Sequence, residues 1–522
     1  EKRQKAFGDL LSRGSEIEAI FKELEDSSAK NRRILNLRYQ GTDTKFLIEE
    51  PPKNQDYKRV FEEQYLREFG FSLDREIICD DIIVEIFEDE VSFDEAQTTS
   101  FQESDWVSGP QLISEDTTTI YLEKGSRMRL NKDGNYEIEI HSLSEQKQTL
   151  DKDPINLAIF SNRFMSIAEQ MGKTLERTSI STNIKERRDF SCAIFNKEGD
   201  LIANAPHQPV HLGSMGYAVK KQIQKKKDVG EQFKPGEAIL SNHPVMGGSH
   251  LPDLTVITPV FEDSPSSRTE RSDPIFFVAN RAHHADIGGI SPGSMPSFSK
   301  TLSEEGIAIK SFTLVDDFIF QEAKLRELFQ ESRLLEDNIS DLRAQVAANN
   351  QGIKLVQDLI QEYSQETVLD FMNYILENSR QAVQDLFKTS DYDELEAHDF
   401  LDDGSKINLK VTVDKDSAKA IFDFTGTDAQ LESNLNTPIA VLSSVVLYCL
   451  RAIINKDIPL NQGFLQAVEI IVPEKTLLNP SDEAAVVAGN VQTSQRIVDV
   501  IFKAFGICSA SQGCMNNVIF GK

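Results

Sequence analysis

The chain has 522 residues, a length typical of two to four compact domains. With 39% hydrophobic and 27% charged residues, it has enough apolar side chains to form folded cores, which excludes a wholly disordered chain. The 84 acidic residues outnumber the 56 Lys and Arg residues and give a net charge of −28, so nucleic acid and anionic membrane surfaces are poor candidate partners.

The first 145 residues predict a charged, β-rich unit. The sequence has no secretory signal pattern at its start, and because position 1 is Glu and not Met we expect a piece of a longer protein. Strand patterns occupy residues 33–39, 77–87, 119–122 and 136–141, with a polar loop over residues 88–110. A polar linker over residues 142–152 follows, so we place a domain boundary between residues 145 and 146.

Residues 146–522 predict a second unit, and the chain as a whole a mixed α/β (α+β) fold. Asp153 followed by Pro154 is typical of a helix start. Helical spacing also covers residues 338–363 and 367–386, while the apolar run 437–450 is too short to span a bilayer and indicates a buried helix. The remaining signals are strands over 238–242 and 275–279, and hairpins joining 190–195 to 201–205 and 407–413 to 420–424.

Histidine crowding is the strongest signal of a functional site, because six of the eight histidines lie within residues 207–284. Clustered histidines can also be ordinary polar loop residues. His250 and Asp253 follow a predicted buried strand, the position at which α/β proteins place ligand-binding loops. Pro252 disfavours a helix there, and the preceding Gly-Gly pair permits a tight turn that aims both side chains inward.

A third ligand for the same site is expected from the end of the next predicted strand, where His283 and His284 stand together. Two imidazoles and one carboxylate suit Mn, Fe or Zn and leave coordination positions open for water or substrate. The five cysteines contain no CxxC pair, which excludes a zinc ribbon and a disulfide scaffold and favours a reducing, cytoplasmic location.

A dense charge run at residues 183–189 lies beside a predicted buried strand. Such a run is most often a solvated edge, but these side chains are also candidates to bind a polar substrate. His211 lies in a proline-bounded loop and is a candidate for acid–base chemistry. The sequence contains no GxxxxGK[ST] loop, no GxGxxG after a strand and no GxSxG elbow, so nothing in it predicts nucleotide binding.

Seven stretches carry a resemblance to a known family. They are NRFMSIAEQM at 162–171, RTSISTNIKER at 177–187, PVHLGSM at 209–215, GSHLPD at 248–253, AHHADIGG at 282–289, NISDLRAQVAAN at 338–349 and SASQGCMNN at 509–517. In these segments the chain resembles the 5-oxoprolinase and hydantoinase B family, which also includes acetone and acetophenone carboxylase subunits. It is most similar to the single-chain eukaryotic branch, in which an A module and a B module share one polypeptide.

The resemblance implies a division of labour between these modules. Residues 1–145 would be the C-terminal part of a hydantoinase A-like module, and residues 146–522 a hydantoinase B-like module that is incomplete at its C-terminus. The implied activity is the ATP-dependent opening of 5-oxo-L-proline to L-glutamate, a step of glutathione turnover. ATP with Mg would bind the A module, largely outside this chain, and the expected partners are that module and a second copy in a homodimer.

The resemblance also implies roles for individual residues. In carboxylase relatives the B module holds a divalent metal (Mn, Zn or Mg is expected here), and the matching positions are His250, Asp253 and His283. His283 is preferred to His284 because the family motif varies more at the second position. From the residues themselves, independently of the resemblance, the proton-transfer candidates are Glu186, Asp189, His211 and Asp286, and the substrate-binding candidates are Asn183, Lys185 and Arg187. The alternatives are a hydantoinase or carboxylase-type subunit and a non-catalytic assembly module.

Overall fold

A computed structural model gives the architecture of most of the chain. It describes residues 2–9, 14–27, 29–52, 56–87, 106–114, 118–131, 134–140, 150–205, 208–262, 273–454, 456, 458–508, 510, 511 and 513. Most of the predicted loop at 88–110, most of the predicted linker at 142–152, and His207 lie outside these residues.

The N-terminal unit is a four-stranded antiparallel sheet in the order β1-β4-β2-β3 with two helices. Its elements are β1 (Lys2–Asp9), α1 (Gly14–Leu24), β2 (Lys30–Tyr39), β3 (Phe46–Glu49), α2 (Tyr57–Phe69) and β4 (Ile77–Phe87). Helix α2 starts after Asp56, whose carboxylate caps it, and stops at Gly70 in the left-handed conformation. The strands predicted at 33–39 and 77–87 are confirmed and occupy the centre of this sheet.

Two small antiparallel sheets follow in the chain. They consist of β5 (Val107–Ser108), β6 (Gln111–Ser114), β7 (Thr119–Leu122), β8 (Ser126–Leu130) and β9 (Tyr136–Ile140). The predicted strands at 119–122 and 136–141 are confirmed as β7 and β9. The prediction of a loop over residues 88–110 is wrong at its C-terminal end, because β5 lies there and pairs with β8.

A seven-stranded sheet forms the centre of the second unit, in the order β11-β10-β14-β13-β12-β15-β16, and all its neighbouring strands are antiparallel. Its elements and helices are α3 (Pro154–Thr178), α4 (Thr182–Lys185), β10 (Phe190–Asn196), β11 (Leu201–Asn204), α5 (His211–Asp228), β12 (Ala238–Ser241), β13 (Asp253–Val260), β14 (Phe276–His283), β15 (Phe312–Asp316), β16 (Ile319–Phe320), α6 (Glu322–Leu328), α7 (Leu335–Tyr363) and α8 (Gln365–Thr389). The predicted hairpin, strands and helices in this region are confirmed.

Side chains alternate between the two faces of the central sheet, as the period of a strand requires. One face packs against α3, α7 and α8, and on β14 it carries Val278 and Ala282. The other face packs against α5 and carries Ala279. The alternation therefore places His283 on the α5 face and the next residue, His284, on the α7 face.

Helix α7 presents a row of buried polar side chains to the sheet. Gln345 donates to the carbonyl of Leu254 at 2.9 Å, and Asn349 donates to the carbonyl of Val256 at 3.1 Å. Both ring nitrogens of His284 contact side chains of this helix. Nδ1 lies 3.1 Å from Asn338 Oδ1, and Nε2 lies 3.0 Å from Gln345 Oε1. Buried polar contacts of this kind favour one arrangement, so they restrict the rotation and axial position of α7.

The N-terminal and central units share a core at α7. Ala347 of α7 and Ile180 after α3 pack with the apolar residues of the N-terminal sheet. An ion pair of 2.9 Å between Arg75 and Asp337 lies at the same junction. Helix α7, with 29 residues and a length of about 44 Å, thus contacts both units.

A further four-stranded sheet packs with α8 and two more helices. Its strands are β17 (Glu394–Phe400), β18 (Lys406–Asp414), β19 (Lys419–Asp423) and β20 (Val468–Ile471), and the helices are α9 (Ile439–Ile453) and α10 (Ser494–Ala504). Strands β19 and β20 are parallel, and the other neighbours are antiparallel. The predicted hairpin at 407–413 and 420–424 and the buried helix from the apolar run are confirmed. Within the described ranges, no helix has the combination of length and hydropathy that crossing a bilayer requires.

Candidate metal centre

His250, Asp253 and His283 come together at one end of the β13–β14 pair. Asp253 begins β13, His283 ends β14, and the two are direct partners in the antiparallel register. His283 Nδ1 lies 3.1 Å from Asp253 Oδ1, and His250 Nδ1 lies 3.0 Å from Asp253 Oδ2. One ligand atom from each residue lies within 4.8 Å of the other two. The structure brings these three predicted residues together on a different topology from the expected strand-exit loops of an α/β sheet. Antiparallel pairing places the start of one strand beside the end of its neighbour.

The turn that carries His250 depends on two glycines. Gly247 has φ of +91°, which favours glycine. Gly248 lies so close to the backbone of Asn242 that a Cβ atom would be 1.8 Å from that carbonyl oxygen. A backbone bond of 3.2 Å from Asp253 N to His250 O then closes the turn. The tight turn predicted from the Gly-Gly pair is confirmed.

The cluster is buried and charged. The exposed fractions are 0% for Asp253, 3% for His250 and 9% for His283. Burial opposes ionisation of Asp253, but the adjacent imidazoles of His250 and His211 hold the pKa of its carboxyl well below the usual range. Burial lowers the pKa of His283, and the carboxylate of Asp253 more than offsets it, so that pKa is raised.

A fully buried arginine lies on the same face. Arg281 donates to Thr255 Oγ1 at 2.8 Å, to Ser214 Oγ at 2.6 Å and to the carbonyl of Gly247 at 2.7 Å. Burial lowers the pKa of Arg281 to about 10, against the opposing effect of Asp253. Its three bonds join β13, α5 and the Gly-Gly turn, which are the elements that surround the cluster.

The donor set fits a divalent metal. In each imidazole–carboxylate contact, a nitrogen faces a carboxylate oxygen at close to 3 Å. If both atoms present lone pairs, they repel each other unless a proton or a cation lies between them. Two imidazoles and one carboxylate within reach of a common point are ligands typical of Zn, Mn or Fe. His250, Asp253 and His283 are therefore the residues that would hold the metal.

His211 lies behind Asp253. The structure corrects the predicted loop here, since His211 begins helix α5. His211 Nε2 lies 3.2 Å from Asp253 Oδ2, and its Nδ1 lies 3.0 Å from Ser191 Oγ. Ser191, His211 and Asp253 have the composition of a Ser-His-Asp triad, but Ser191 and His211 are each only 1% exposed. Both residues lie behind the carboxylate, where their contacts orient Asp253; the hydrogen bond from Ser249 does the same.

From the charge run at 183–189, the structure brings Asp189 to the cluster. Asp189 Oδ2 lies 4.0 Å from His283 Nδ1, and its backbone carbonyl accepts the amide hydrogen of His283 at 2.9 Å. Glu186 and Arg187 are exposed, and Asn183 is half-buried. Asp189 is thus the member of the run best placed for proton transfer.

Two predicted site residues serve as structural links. Lys185 forms an ion pair of 2.9 Å with Asp43 and donates to the carbonyl of Gly41 at 3.0 Å, both in the N-terminal unit. Lys185 therefore links α4 to the N-terminal unit. Asp286 accepts bonds from the amides of Gly288 and Gly293 and pairs with an arginine; burial opposes ionisation, but these bonds hold its pKa below the usual range. A carboxylate engaged in this way organises a loop and is a poor proton carrier.

Sequence reasoning missed Asn490. This residue lies in a π-helix, Gly489–Thr493, directly before α10, and its Nδ2 is 3.3 Å from His250 Nδ1. The close approach of Gly489, whose added Cβ would lie 1.9 Å from the carbonyl oxygen of Asn436, is visible only in the structure. The π-helix, also visible only there, is a feature frequent at functional sites.

Glu305 supports the segment that carries Asn490. Its carboxylate accepts the backbone amides of Val486 and Val487, at 3.0 and 3.1 Å, and the hydroxyl of Ser299 at 2.8 Å. Burial raises the pKa of Glu305 to about 7, and the nearby Glu304 adds to this effect. The segment therefore depends on a carboxyl group that titrates near neutrality.

We expect the Glu305→Gln substitution to stabilise the protein at pH 8 more than at pH 5. The pKa of Glu305 is raised in the folded state from an ordinary value of 4.5, so its stabilising contribution is fully present below pH 4.5 and is lost as pH rises towards 7. A shift of this size corresponds to roughly 3 kcal/mol. The measurement is the difference in thermal midpoint between variant and wild type at the two pH values. Glu304→Gln is the matched control, and an equal difference at both pH values would contradict the expectation.

The comparisons with known proteins show the family and the fold of this chain. Residues 153–522 match the Hydantoinase B/oxoprolinase family. The chain is 45% identical to a 5-oxoprolinase of Dictyostelium discoideum over 99% of its length, and 41% identical to 5-oxoprolinase 1 of Arabidopsis thaliana over 95%. The chain belongs to the hydantoinase B/oxoprolinase family. It spans 42% and 43% of the lengths of these two curated relatives, which is less than half.

A solved structure supports the fold. The ATP-dependent caprolactamase from Pseudomonas jessenii matches with a TM-score of 0.60 at 22% identity, covering 68% of this chain and 61% of that one. At this identity the similarity shows the fold alone. It confirms the mixed α/β class predicted from the sequence.

Proposed function

We propose that this chain provides the hydrolytic half of an ATP-dependent 5-oxoprolinase, which opens 5-oxo-L-proline to L-glutamate. The observation that carries the proposal is the buried cluster of His250, Asp253 and His283, in a chain similar over nearly its whole length to two proteins named 5-oxoprolinase. ATP with Mg is assigned to an A module largely outside this chain, since the sequence has no phosphate-binding loop motif.

The chemistry explains why two half-sites are needed. A lactam carbon is a weak electrophile, so the A module would transfer a phosphoryl group from ATP to the amide oxygen. Addition of water at carbon 5 and cleavage of the carbon–nitrogen bond would then give an acyl phosphate, from which a second water would release phosphate to leave glutamate. When bound, a divalent metal would act as a Lewis acid and lower the pKa of a water ligand.

In this proposal, residues of this chain orient the metal-binding carboxylate and accept a proton from water. His211 and Ser249 fix the carboxylate of Asp253 from behind. Asp189, with its side chain 20% exposed at the edge of the cluster, is placed to accept a proton from water. The buried surroundings exclude bulk solvent, which strengthens these electrostatic interactions. We further propose a cytoplasmic homodimer that acts in glutathione turnover.

The test is a parallel measurement of ADP and L-glutamate release by the complete protein with ATP and 5-oxoproline. We expect His250→Ala to lower glutamate release at least about 100-fold, because loss of an outer partner of a metal ligand alone costs about 10–100-fold. His398→Ala, an exposed histidine on β17, is the matched control and should leave the rate unchanged.

Two results would contradict the proposal. ATP hydrolysis stimulated by hydantoin but not by 5-oxoproline would indicate a hydantoinase-type enzyme. Full activity and unchanged metal content in His250→Ala would instead indicate that this chain is an assembly module for the nucleotide-binding half.

A further inference from the structure

Asn490 reaches the metal centre from a part of the chain far from the other site residues in sequence. Its side chain is 8% exposed, and its Nδ2 lies 3.3 Å from His250 Nδ1. Its Oδ1 is buried and has no hydrogen-bond partner within the described part of the chain. A buried carbonyl oxygen without a partner costs about 1–3 kcal/mol, so a feature of this kind calls for a ligand.

With the Asn490 amide as placed, hydrogen bonding among the protein groups does not satisfy this corner of the site. His250 Nδ1 lies 3.0 Å from Asp253 Oδ2 as well as 3.3 Å from the amide of Asn490. If Nδ1 carries a hydrogen, it donates to Asp253 and the N–H of Asn490 points at a donor. If Nδ1 carries a lone pair, it accepts from Asn490 but faces the lone pairs of Asp253. The oxygen of Asn490 is unpaired in both cases.

A cation resolves both conflicts. The two ends of a terminal amide are assigned from their hydrogen bonds, so a half-turn of the Asn490 amide is an equivalent placement. It would bring Oδ1 to the present position of Nδ2, 3.3 Å from His250 Nδ1. Two ligands each about 2.1 Å from one metal are about 3.0–3.4 Å apart at octahedral or tetrahedral angles.

We infer that Asn490 supplies an oxygen ligand to the divalent cation held by His250, Asp253 and His283. The inference rests on the metal centre of the proposed function and extends it to a fourth side chain. A carboxamide oxygen is a hard ligand of the kind that Mn²⁺ and Mg²⁺ accept. The cation would then join the β13–β14 pair to the segment that precedes α10.

The backbone around Asn490 is held firmly enough to place a ligand. The amides of Ala488 and Gly489 both donate to the carbonyl of Asn434 at 2.9 Å. Gly489 is in close contact with Asn436, and Glu305 binds the two amides of Val486 and Val487 upstream. The π-helix at this point turns the side chain of Asn490 towards His250, as π-bulges often do at functional sites.

The experiment is a titration of the metal-free complete protein with Mn²⁺, in which electron paramagnetic resonance measures the free ion. We expect Asn490→Ala to raise the Mn²⁺ dissociation constant about 10–100-fold. Asn490→Asp, which restores an oxygen at the same place, should bind Mn²⁺ at least as tightly as wild type. Gln492→Ala, on an exposed residue of the same π-helix, is the matched control and should bind as wild type does.

Wild-type affinity in Asn490→Ala, with circular dichroism showing an intact fold, would overturn the inference. If Asn490→Ala does not fold, Asn490→Asp decides, because an oxygen ligand predicts retained Mn²⁺ binding and loss of binding would overturn it. Wild-type affinity in Asp253→Ala would overturn the metal centre and Asn490 together. The titration contains no ATP or substrate, so the ligand role of Asn490 stands even if the protein releases no glutamate.

Discussion

Replacing Asp253 with asparagine is expected to lower glutamate release at least about 10³-fold and to remove the divalent metal from the protein. A loss of 10³-fold corresponds to about 4 kcal/mol of transition-state stabilisation. Both carboxylate oxygens of Asp253 are engaged, one with His283 and the other with His250 and His211. The amide removes the negative charge that balances a cation and turns an N–H donor towards the imidazoles.

The measurement combines metal analysis of the purified variant with the glutamate assay. Asp416→Asn, which changes an exposed aspartate in the turn after β18, is the matched control. Circular dichroism checks that the fold persists, which is expected because the side chains are isosteric. An Asp253→Asn protein with wild-type metal content and activity would remove the basis of the metal centre.

The Gly248→Ala substitution is expected to have the next largest effect. A Cβ at this position would lie 1.8 Å from the carbonyl oxygen of Asn242, and that atom is backbone, which cannot rotate away. Relief requires movement of the turn that carries His250, two residues further on. We expect a loss of about 3 kcal/mol in stability and, since a shift of about 1 Å in a site costs about 10²-fold, a comparable loss of activity.

Thermal unfolding and the glutamate assay measure the two effects. Gly404→Ala is the matched control, since its φ of +88° imposes backbone strain while nothing lies within 4 Å of the added Cβ. That strain alone costs about 1 kcal/mol. If Gly248→Ala behaved like Gly404→Ala and kept its metal, the close contact with Asn242 would not control the position of His250.

Local patterns predicted four strands of the central sheet, β10, β11, β12 and β14, but they left its strand directions open. The strand Asp253–Val260 was missed, although its Thr, Val and Ile residues are typical of a buried strand. If that strand had been recognised, the alternation of side chains between the two faces of the sheet would have placed His283, but not His284, on the same face as Asp253. The register that pairs Asp253 with His283 is a property of the whole sheet, which no short window contains.

The other site contacts depend on residues far apart in sequence. Asn490 meets His250 across 240 positions, and His211 meets Asp253 across 42. In the structure, Asp189 lies beside the cluster, whereas Lys185 pairs with Asp43 of the N-terminal unit. The composition of the charge run at 183–189 did not predict this difference in position. Histidine crowding located the site because histidine is scarce in this chain; asparagine is common, so Asn490 gave no such signal.

The polar row on α7 has a mechanical consequence. Its members, Asn338, Gln345 and Asn349, are one or two helical turns apart, so an axial slip of less than about 5.4 Å would break their bonds without forming new ones. Helix α7 therefore has one axial position at which all of these hydrogen bonds form, and intermediate positions are disfavoured. Because the same helix packs against the N-terminal sheet through Ala347, displacing it along its axis would break its contacts with His284 and with the central sheet together.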